Sequence, residues 1–448
     1  MAAMNENTES IEELYPEVAE APRYSCALAG AYSAALAVYG TVPVLHAGAG
    51  CGLGQLFGQH YAGGQNTGGQ FGTTSTPCSC LIEEHVIFGG EDKLRNLIRT
   101  SQELLKGDLY AVISGCVPAL IGDDVESVVK EFKGQAPIIN IKTAGFAGNS
   151  YTGYEQFFEA VIDQLINAQP TQKGLINIFG IVPNQHLFYK GDLEVIRQTL
   201  GKLGLQVNII FTEENGLENL TMISAAELNI VVSLWNGHQI VNKLEEAFGI
   251  PYLEFSSVPI GPKQTSHFLR KVGEKLKFDS EWVERVIAKE EKIAYRRTEI
   301  IGDILFNGLP HIYYAVVADS NTAIGVAKYL TNEIGYLADI IIIADNPPEE
   351  AREKIIKELT DGLEGVVKPE VVFEIDAYKI KEKLKGRSFL ALFASSLEKH
   401  IAGEEYGAIH LSISFPSFDR LIVDRSYAGY RGGLGLVEDF FSKFAGPL

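Results

Sequence analysis

The chain has 448 residues, 46% of them apolar and 21% charged, the make-up of a globular protein too long for one ordinary core. Its 38 basic and 57 acidic residues leave a net charge of −19, which argues against nucleic acid or an anionic membrane as a partner. Residues 1–20 are acidic, with Glu12, Glu13, Glu17 and Glu20, and show no apolar core of a secretory signal; no apolar run reaches bilayer length. An odd five cysteines then fit a reducing cytoplasm, with metal-binding or reactive roles for the thiols.

Residues 1–22 read as an acidic arm. From Tyr24 the pattern becomes α/β. Cys26 to Tyr39 is Ala-rich and predicts a buried helix with Cys26 near its N-terminus, where the positive helix end favours a thiolate. Val42–His46 predicts a strand, and Gly48–Gly54, with Cys51 inside it, a loop. No G-x-G-x-x-G can be read there, so a dinucleotide site is not expected. Residues 62–76, rich in Gly, Thr and Gln, predict a long irregular loop of the kind that is usually functional. It runs into Pro77-Cys78-Ser79-Cys80, two packed thiols or a further donor of metal ligands. Residues 84–105 read as helix, broken at Phe88-Gly89-Gly90. Leu109–Ile113 is a strand running to Cys116, and Asp123 or Asp124 should cap the next helix, with a contact to a docking partner as the alternative. A strand at Ile138–Lys142 and a helix at Tyr154–Ala168 close this first unit.

Pro170–Lys173 reads as a linker. A second strand–helix series follows, with strands at Leu175–Phe179, Gln206–Phe211, Leu228–Leu234 and Tyr252–Phe255. Residues 263–297 are charged and helical, a bridge to a third series at Tyr314–Ala318, Ile340–Ala344, Val371–Ile375, Phe389–Phe393 and Ile409–Ile413. Short all-apolar strands alternating with helices predict parallel sheets covered on both faces. The expected division is an arm at 1–22, a first domain at 23–170, a second with the bridging helices at 171–300, and a third at 301–448.

No P-loop occurs, so ATP hydrolysis by that route is excluded, and neither H-E-x-x-H nor a hydrolase signature is found. His46, His85, His238 and His410 read as hydrogen-bonded structural residues rather than ligands. Cys51 and Cys116 both follow strands, and ligands of open α/β sheets gather at the strands' carboxyl ends. Together with Cys26 they form a candidate set of soft ligands for an iron–sulfur cluster. Three unrelated packed cysteines are the alternative.

These residues carry a resemblance. Cys26-Ala27-Leu28-Ala29-Gly30-Ala31, His46-Ala47-Gly48-Ala49-Gly50-Cys51, Val86-Ile87-Phe88-Gly89-Gly90, Cys116-Val117-Pro118 through Asp124, Phe248-Gly249-Ile250-Pro251-Tyr252 and Phe415-Pro416-Ser417-Phe418-Asp419-Arg420 together resemble the nitrogenase component 1 superfamily from Tyr24 onward. The resemblance implies three Rossmann-like domains. It implies that Cys26, Cys51 and Cys116 bind a P-cluster-type iron–sulfur cluster ([8Fe-7S], or [4Fe-4S] as the alternative) shared with a homologous α-like (D-type) subunit in an α2β2 heterotetramer. An ATP-dependent iron protein would deliver the electrons. Ser233 stands where the catalytic α subunit carries its cofactor cysteine, and Ser414 to Arg420 is similar to the β, or K-type, subunit. The chain therefore resembles a β-like subunit whose partner holds the substrate-reducing cofactor.

Departures from the pattern point further. Gly145 replaces an accessory serine of the molybdenum β subunit, the long N-terminal extension of that subunit is missing, and the loop at 62–76 and the C-x-C differ. They favour a nitrogenase-like reductase with another substrate, such as a methylthio-alkane reductase. The alternatives are a metallocofactor-assembly scaffold, against which the presence of Cys26 speaks, a conventional iron-only or vanadium-type β subunit, and a tetrapyrrole reductase subunit.

Overall fold

Runs of three to eight residues, mostly β-branched and apolar, become parallel strands in three sheets, each flanked by helices. The computed structural model describes residues 19–64, 70–306 and 312–444; the arm up to residue 18 and the middle of the loop at 62–76 lie outside them. The first sheet contains β1 (Thr41–His46), β2 (Leu109–Ser114) and β3 (Ile138–Lys142), in the order β1-β2-β3. Every residue of β1 and β2 is buried, which explains why neither run alternates with polar residues. Around this sheet stand α1 (Ala27–Ala37), α2 (Ala49–Gln55), α3 (Glu83–Phe88), α4 (Glu91–Leu104), α5 (Cys116–Ile121), α6 (Val125–Lys130) and α7 (Ser150–Gln164). His46 pairs with Ser114, and Ser114 with Lys142, so the three strands end level and the segments after them are neighbours.

The second sheet runs β5-β4-β6-β7, from β4 (Gln172–Phe179), β5 (Gln206–Asn208), β6 (Ala226–Val231) and β7 (Tyr252–Glu254). The third runs β10-β9-β8-β11-β12, from β8 (Tyr313–Ala318), β9 (Leu337–Ile343), β10 (Glu370–Phe373), β11 (Ala391–Ala394) and β12 (Ile409–Ser412). All the pairings are parallel. The charged stretch read as one helix is two, α8 (Gly261–Lys275) and α9 (Ser280–Phe306). The break falls at Asp279, whose side chain accepts the Glu281 N–H and starts the second helix.

The units are tied to one another. One apolar core joins residues of the first and second sheets, including edge-to-face contacts of Phe158 with Phe157 and Phe179. Buried Arg23, just before Cys26, pairs with Glu398 beyond β11. The last helix, α10 (Gly429–Phe444), returns to the middle of the molecule, where Tyr430 and Ser266 of α8 share a hydrogen bond. Among the described residues no helix is long and apolar enough to cross a membrane.

Candidate metal centre

Each of the three predicted cysteines stands where the end of the first sheet puts it. Cys51 lies beyond β1 and Cys116 beyond β2, and because those strands are neighbours in register the two segments meet: the Gly115 N–H donates to the His46 carbonyl at 3.0 Å. Cys26 caps the start of α1 and bridges to Asn149 in the segment after β3. Asn149 in turn accepts the N–H groups of Tyr151 and Thr152 and so fixes the start of α7, four residues earlier than the sequence predicts.

One expectation fails. Gly48–Gly54 is no loop; Cys51 sits in the first turn of α2, and Cys116 opens α5. Three glycines disfavour a helix at α2. Bonds made further along outweigh them: Gln59 hydrogen-bonds Ser33 and Ser25, and His60 bonds Tyr32, holding the continuing turn at Leu56–Tyr61 against α1.

Gly145 lies beside two of the thiols, those of Cys26 and Cys116. Its N–H donates to Cys116 Sγ at 3.1 Å. A Cβ built on it would lie 3.0 Å from Cys116 Sγ and 3.5 Å from Cys26 Sγ, so both sulfurs face one point that a side chain would fill. Burial pushes the Cys51 thiol up, and the nearby Cys26 and Cys116 push it further. A thiol held up in this way ionises only beside a compensating cation, the condition a metal supplies. Cys26 is exposed and Cys51 and Cys116 are half-exposed, so the set opens to the surface. Among the described residues no three His, Cys, Asp or Glu side chains close around a single ion. The donor set, all sulfur and spread around an open cradle, fits part of a polynuclear iron–sulfur group completed from another chain.

A network behind the cysteines carries no signature in the sequence. His46 is fully buried and bonds Ser79 Oγ through Nδ1 at 3.1 Å and Asp123 through Nε2 at 3.0 Å. Asp123 also accepts the Gly90 N–H at 2.9 Å, so Nε2 of His46 is the donor in their bond. Burial lowers the pKa of His46, outweighing the hydrogen bond to Asp123 that raises it, and keeps the ring neutral. The segments of Cys51, Cys116 and the C-x-C are thereby tied together. Of the two aspartates, Asp124 caps α6, accepting from the Ser127 N–H, while the Asp123 side chain is 3% exposed. Asp123→Ala leaves two buried donors unpaired and should lower stability by about 1–3 kcal/mol for each; an unchanged urea midpoint would contradict this.

The segments that bear the thiols also carry an apolar skirt. Phe88 is 82% exposed, Leu120 74% and Phe146 66%, and Leu53, Phe57 and Ile87 are exposed with them. All stand on segments that carry or adjoin the cysteines. Lone exposed apolar residues are ordinary, but a group of this size marks a contact surface. The other predicted position, Ser233, is buried and accepts from the N–H groups of Trp235 and Asn236. The cavity beside it measures about 10 Å³ and is lined by Tyr151, Trp235, Asn321 and Asp345, among others. That is room for about one water.

The family profile of nitrogenase component 1 type oxidoreductases matches residues 26–444. The chain belongs to this family. Within it, the vanadium-iron protein beta chain of Trichormus variabilis is 22% identical over 92% of this chain and 90% of its own length. The cofactor biosynthesis protein NifE of Clostridium pasteurianum is 29% identical, but over 48% of this chain and 43% of its own length. The solved structure "Nitrogenase Cp1 at pH 6.5" superposes with a TM-score of 0.76 at 19% identity, covering 99% of this chain and 95% of that one; it shares the fold. The nitrogenase component 1 chain described here is a beta-like oxidoreductase subunit, as its sequence resemblance implies.

Proposed function

We propose that the chain is the β-like half of a nitrogenase-like, ATP-dependent reductase complex, and that Cys26, Cys51 and Cys116 bind its share of an interfacial P-cluster-type iron–sulfur cluster. One observation carries this reading: the Cys26 and Cys116 sulfurs face the open cradle at Gly145, the Cys51 thiol lies near enough to feel both, and exposed apolar side chains stand on the same segments. When bound, such a group supplies one-electron relay between a donor and a catalytic cofactor. The chain's own residues hold and shield it. The Gly145 N–H steadies the Cys116 sulfur, and α2 and α5 fix the spacing of Cys51 and Cys116.

The skirt of Leu53, Phe57, Ile87, Phe88, Leu120 and Phe146 is the surface for the α-like subunit of an α2β2 assembly, which completes the ligand set and excludes water. Obligate interfaces are large and apolar in this way. The substrate-reducing cofactor belongs to that partner, since the cavity at Ser233 offers room for one water. The iron protein would meet the chain at the turn between α5 and α6. Asp124 is exposed there, whereas the Asp123 side chain is turned in. The bare cradle at Gly145 favours a nitrogenase-like enzyme with its own substrate, such as a thioether, over a conventional nitrogenase. A cofactor-assembly scaffold is the second reading, supported by the likeness to NifE along half the chain.

The deciding test is metal analysis of the co-purified complex. Cys26→Ala, Cys51→Ala and Cys116→Ala should each weaken iron retention by about tenfold or more, since even supporting residues of metal sites cost that much when removed. Wild-type iron content and unchanged low-potential signals in all three variants would refute the ligand assignment. Turnover assays on dinitrogen, thioethers and tetrapyrroles separate the reductases from the scaffold, which would turn over none.

A further inference from the structure

The remaining two cysteines form a pair. Residues 77–81 run parallel to Leu45–Gly48: Leu45 N–H donates to the Pro77 carbonyl at 2.8 Å, Ser79 N–H to Leu45 at 2.9 Å and Leu81 N–H to Ala47 at 3.0 Å. On an extended segment, residues two apart share a face. Ser79 accordingly turns inward, 1% exposed, and Cys78 and Cys80 share the other side. Regular extension would hold their Cα atoms roughly 6–7 Å apart. Cys80 breaks that extension. Its φ of +49° is left-handed, rare for a side-chain-bearing residue, and the two thiols are near enough that Cys80 acts, after burial, on the Cys78 thiol. Cys80 is exposed, and Cys78 is half-buried, its sulfur 3.8 Å from the carbonyls of Ala47 and Gly48.

We propose that Cys78 and Cys80 are a redox-active dithiol that closes to an intrachain disulfide before the partner subunit covers this face, by exchange with a low-molecular-weight disulfide of the glutathione type. Exposed Cys80 attacks first: its thiolate displaces one thiol from the oxidant and forms a mixed disulfide. Cys78 then attacks the Cys80 sulfur and displaces the second thiol. Two cysteine thiols lose two electrons and two protons, and the oxidant leaves as two thiols. Cys78, half-buried against the Ala47 and Gly48 carbonyls, is shielded from the oxidant until the mixed disulfide on exposed Cys80 lies against it, which assigns it the second, resolving step. A backbone conformation stored under strain at a site of chemistry is what Cys80 displays.

The pair is coupled to the candidate metal centre. Closing the ring draws Cys78 Sγ away from the Ala47 and Gly48 carbonyls and from Gly52, whose Cβ position lies 3.4 Å from that sulfur. Those residues begin the helix that carries Cys51. Oxidation therefore loosens the Cys51 segment and disfavours metal loading. This consequence rests on the ligand reading given above; the disulfide itself does not.

The test uses the full chain, purified anaerobically and reduced, then equilibrated in glutathione buffers of rising oxidised fraction. Acid quenching, alkylation and peptide mass spectrometry follow. Cys78 and Cys80 should lose alkylation together in one peptide while Cys26, Cys51 and Cys116 keep theirs. Cys78→Ser should instead leave a stable glutathione adduct on Cys80, and Cys80→Ser should leave Cys78 unmodified. A stable adduct on Cys80 in the native chain, full alkylation of both thiols in the most oxidising buffer, or pairing of either with Cys51 would overturn the proposal. Iron loading of the chain with its partner, before and after oxidation, tests the coupling: it should fall in the native protein and hold in Cys80→Ser. Equal loading in both refutes the coupling. Failure of the reduced protein to bind iron refutes the ligand reading and leaves the disulfide result standing.

Discussion

Gly30→Val and Gly153→Val are each expected to abolish folding of the cysteine-bearing part of the chain. Helices α1 and α7 cross with their backbones in contact at these two glycines. A Cβ at residue 30 would lie 1.9 Å from the Ser150 carbonyl oxygen, and one at residue 153 would lie 1.9 Å from that of Ala27. Both obstacles are backbone, so no rotamer change relieves them. The helices must separate, and with them the fully buried Ala31, Ala34, Phe157 and Val161. Overpacking of a core by flexible side chains usually destabilises by about 1–3 kcal/mol. Here the loss in each variant should exceed about 3 kcal/mol, because the obstacle is backbone and unyielding. Cys26 caps α1, so its distance from Cys116 and Gly145 depends on the same crossing. Urea unfolding followed by circular dichroism measures the effect, and the proper control is Gly201→Ala, where nothing lies within 4 Å. The control should be neutral or gain up to about 1 kcal/mol. Midpoints for the valine variants equal to that of the native chain would show that the crossing has room.

The strands could be read from the sequence because a parallel sheet covered on both faces buries short continuous apolar runs: Ile340, Ile341, Ile342 and Ile343 are all fully buried, and their β-branched side chains and short run favour a strand over a buried helix. Cys51 and Cys116 were legible as neighbours for a related reason, since consecutive parallel strands end on the same side. Cys26 was not legible from spacing; its place depends on a bridge to Asn149, more than a hundred residues away. Helix α2 was hidden because its helix-forming signal lies outside it, in the bonds of Gln59 and His60 to α1. The His46 network was hidden more deeply. Its members are 33 and 77 residues apart, and each is common as a surface residue, so nothing local marks them. Asp123 illustrates the point: the Gly122-Asp123-Asp124 turn announces a cap, but it does not tell which carboxylate faces in. The structure separates them by their partners, His46 for one and Ser127 for the other.

Asp345→Asn is expected to stabilise the protein above neutral pH and to flatten its stability profile. Asp345 follows β9 and is 2% exposed. One of its oxygens accepts from Ser320 N–H at 2.9 Å, Ser320 Oγ at 2.6 Å and Trp235 Nε1 at 3.3 Å. The other has no partner, and neither does Asn236 Oδ1 on the same small cavity. Burial pushes the carboxyl pKa up to about 7, and the charge of Asp319 pushes it further in the same direction. The folded state thus holds a proton that the unfolded chain releases near its ordinary value of 3.8. The stability this group contributes is fully present below pH 3.8, declines as the pH rises, and is lost above about pH 7. A shift of this size corresponds to at most on the order of 4 kcal/mol. The asparagine has nothing to ionise. Its oxygen can keep the bonds to Ser320 and Trp235, and its amide can donate into the small cavity that Asn236 also lines. Urea unfolding at pH 5 and pH 8 decides the matter by difference, since every other titrating group is common to both proteins. The variant should gain on the native chain as the pH rises, with most of the gain between those two values. Parallel profiles would mean that Asp345 ionises in the folded protein as readily as in water, which its burial beside Asp319 makes untenable unless a bound cation compensates it; the same pair of profiles repeated in sodium and potassium salts at one ionic strength would then reveal that cation by a salt-specific offset in the native chain alone.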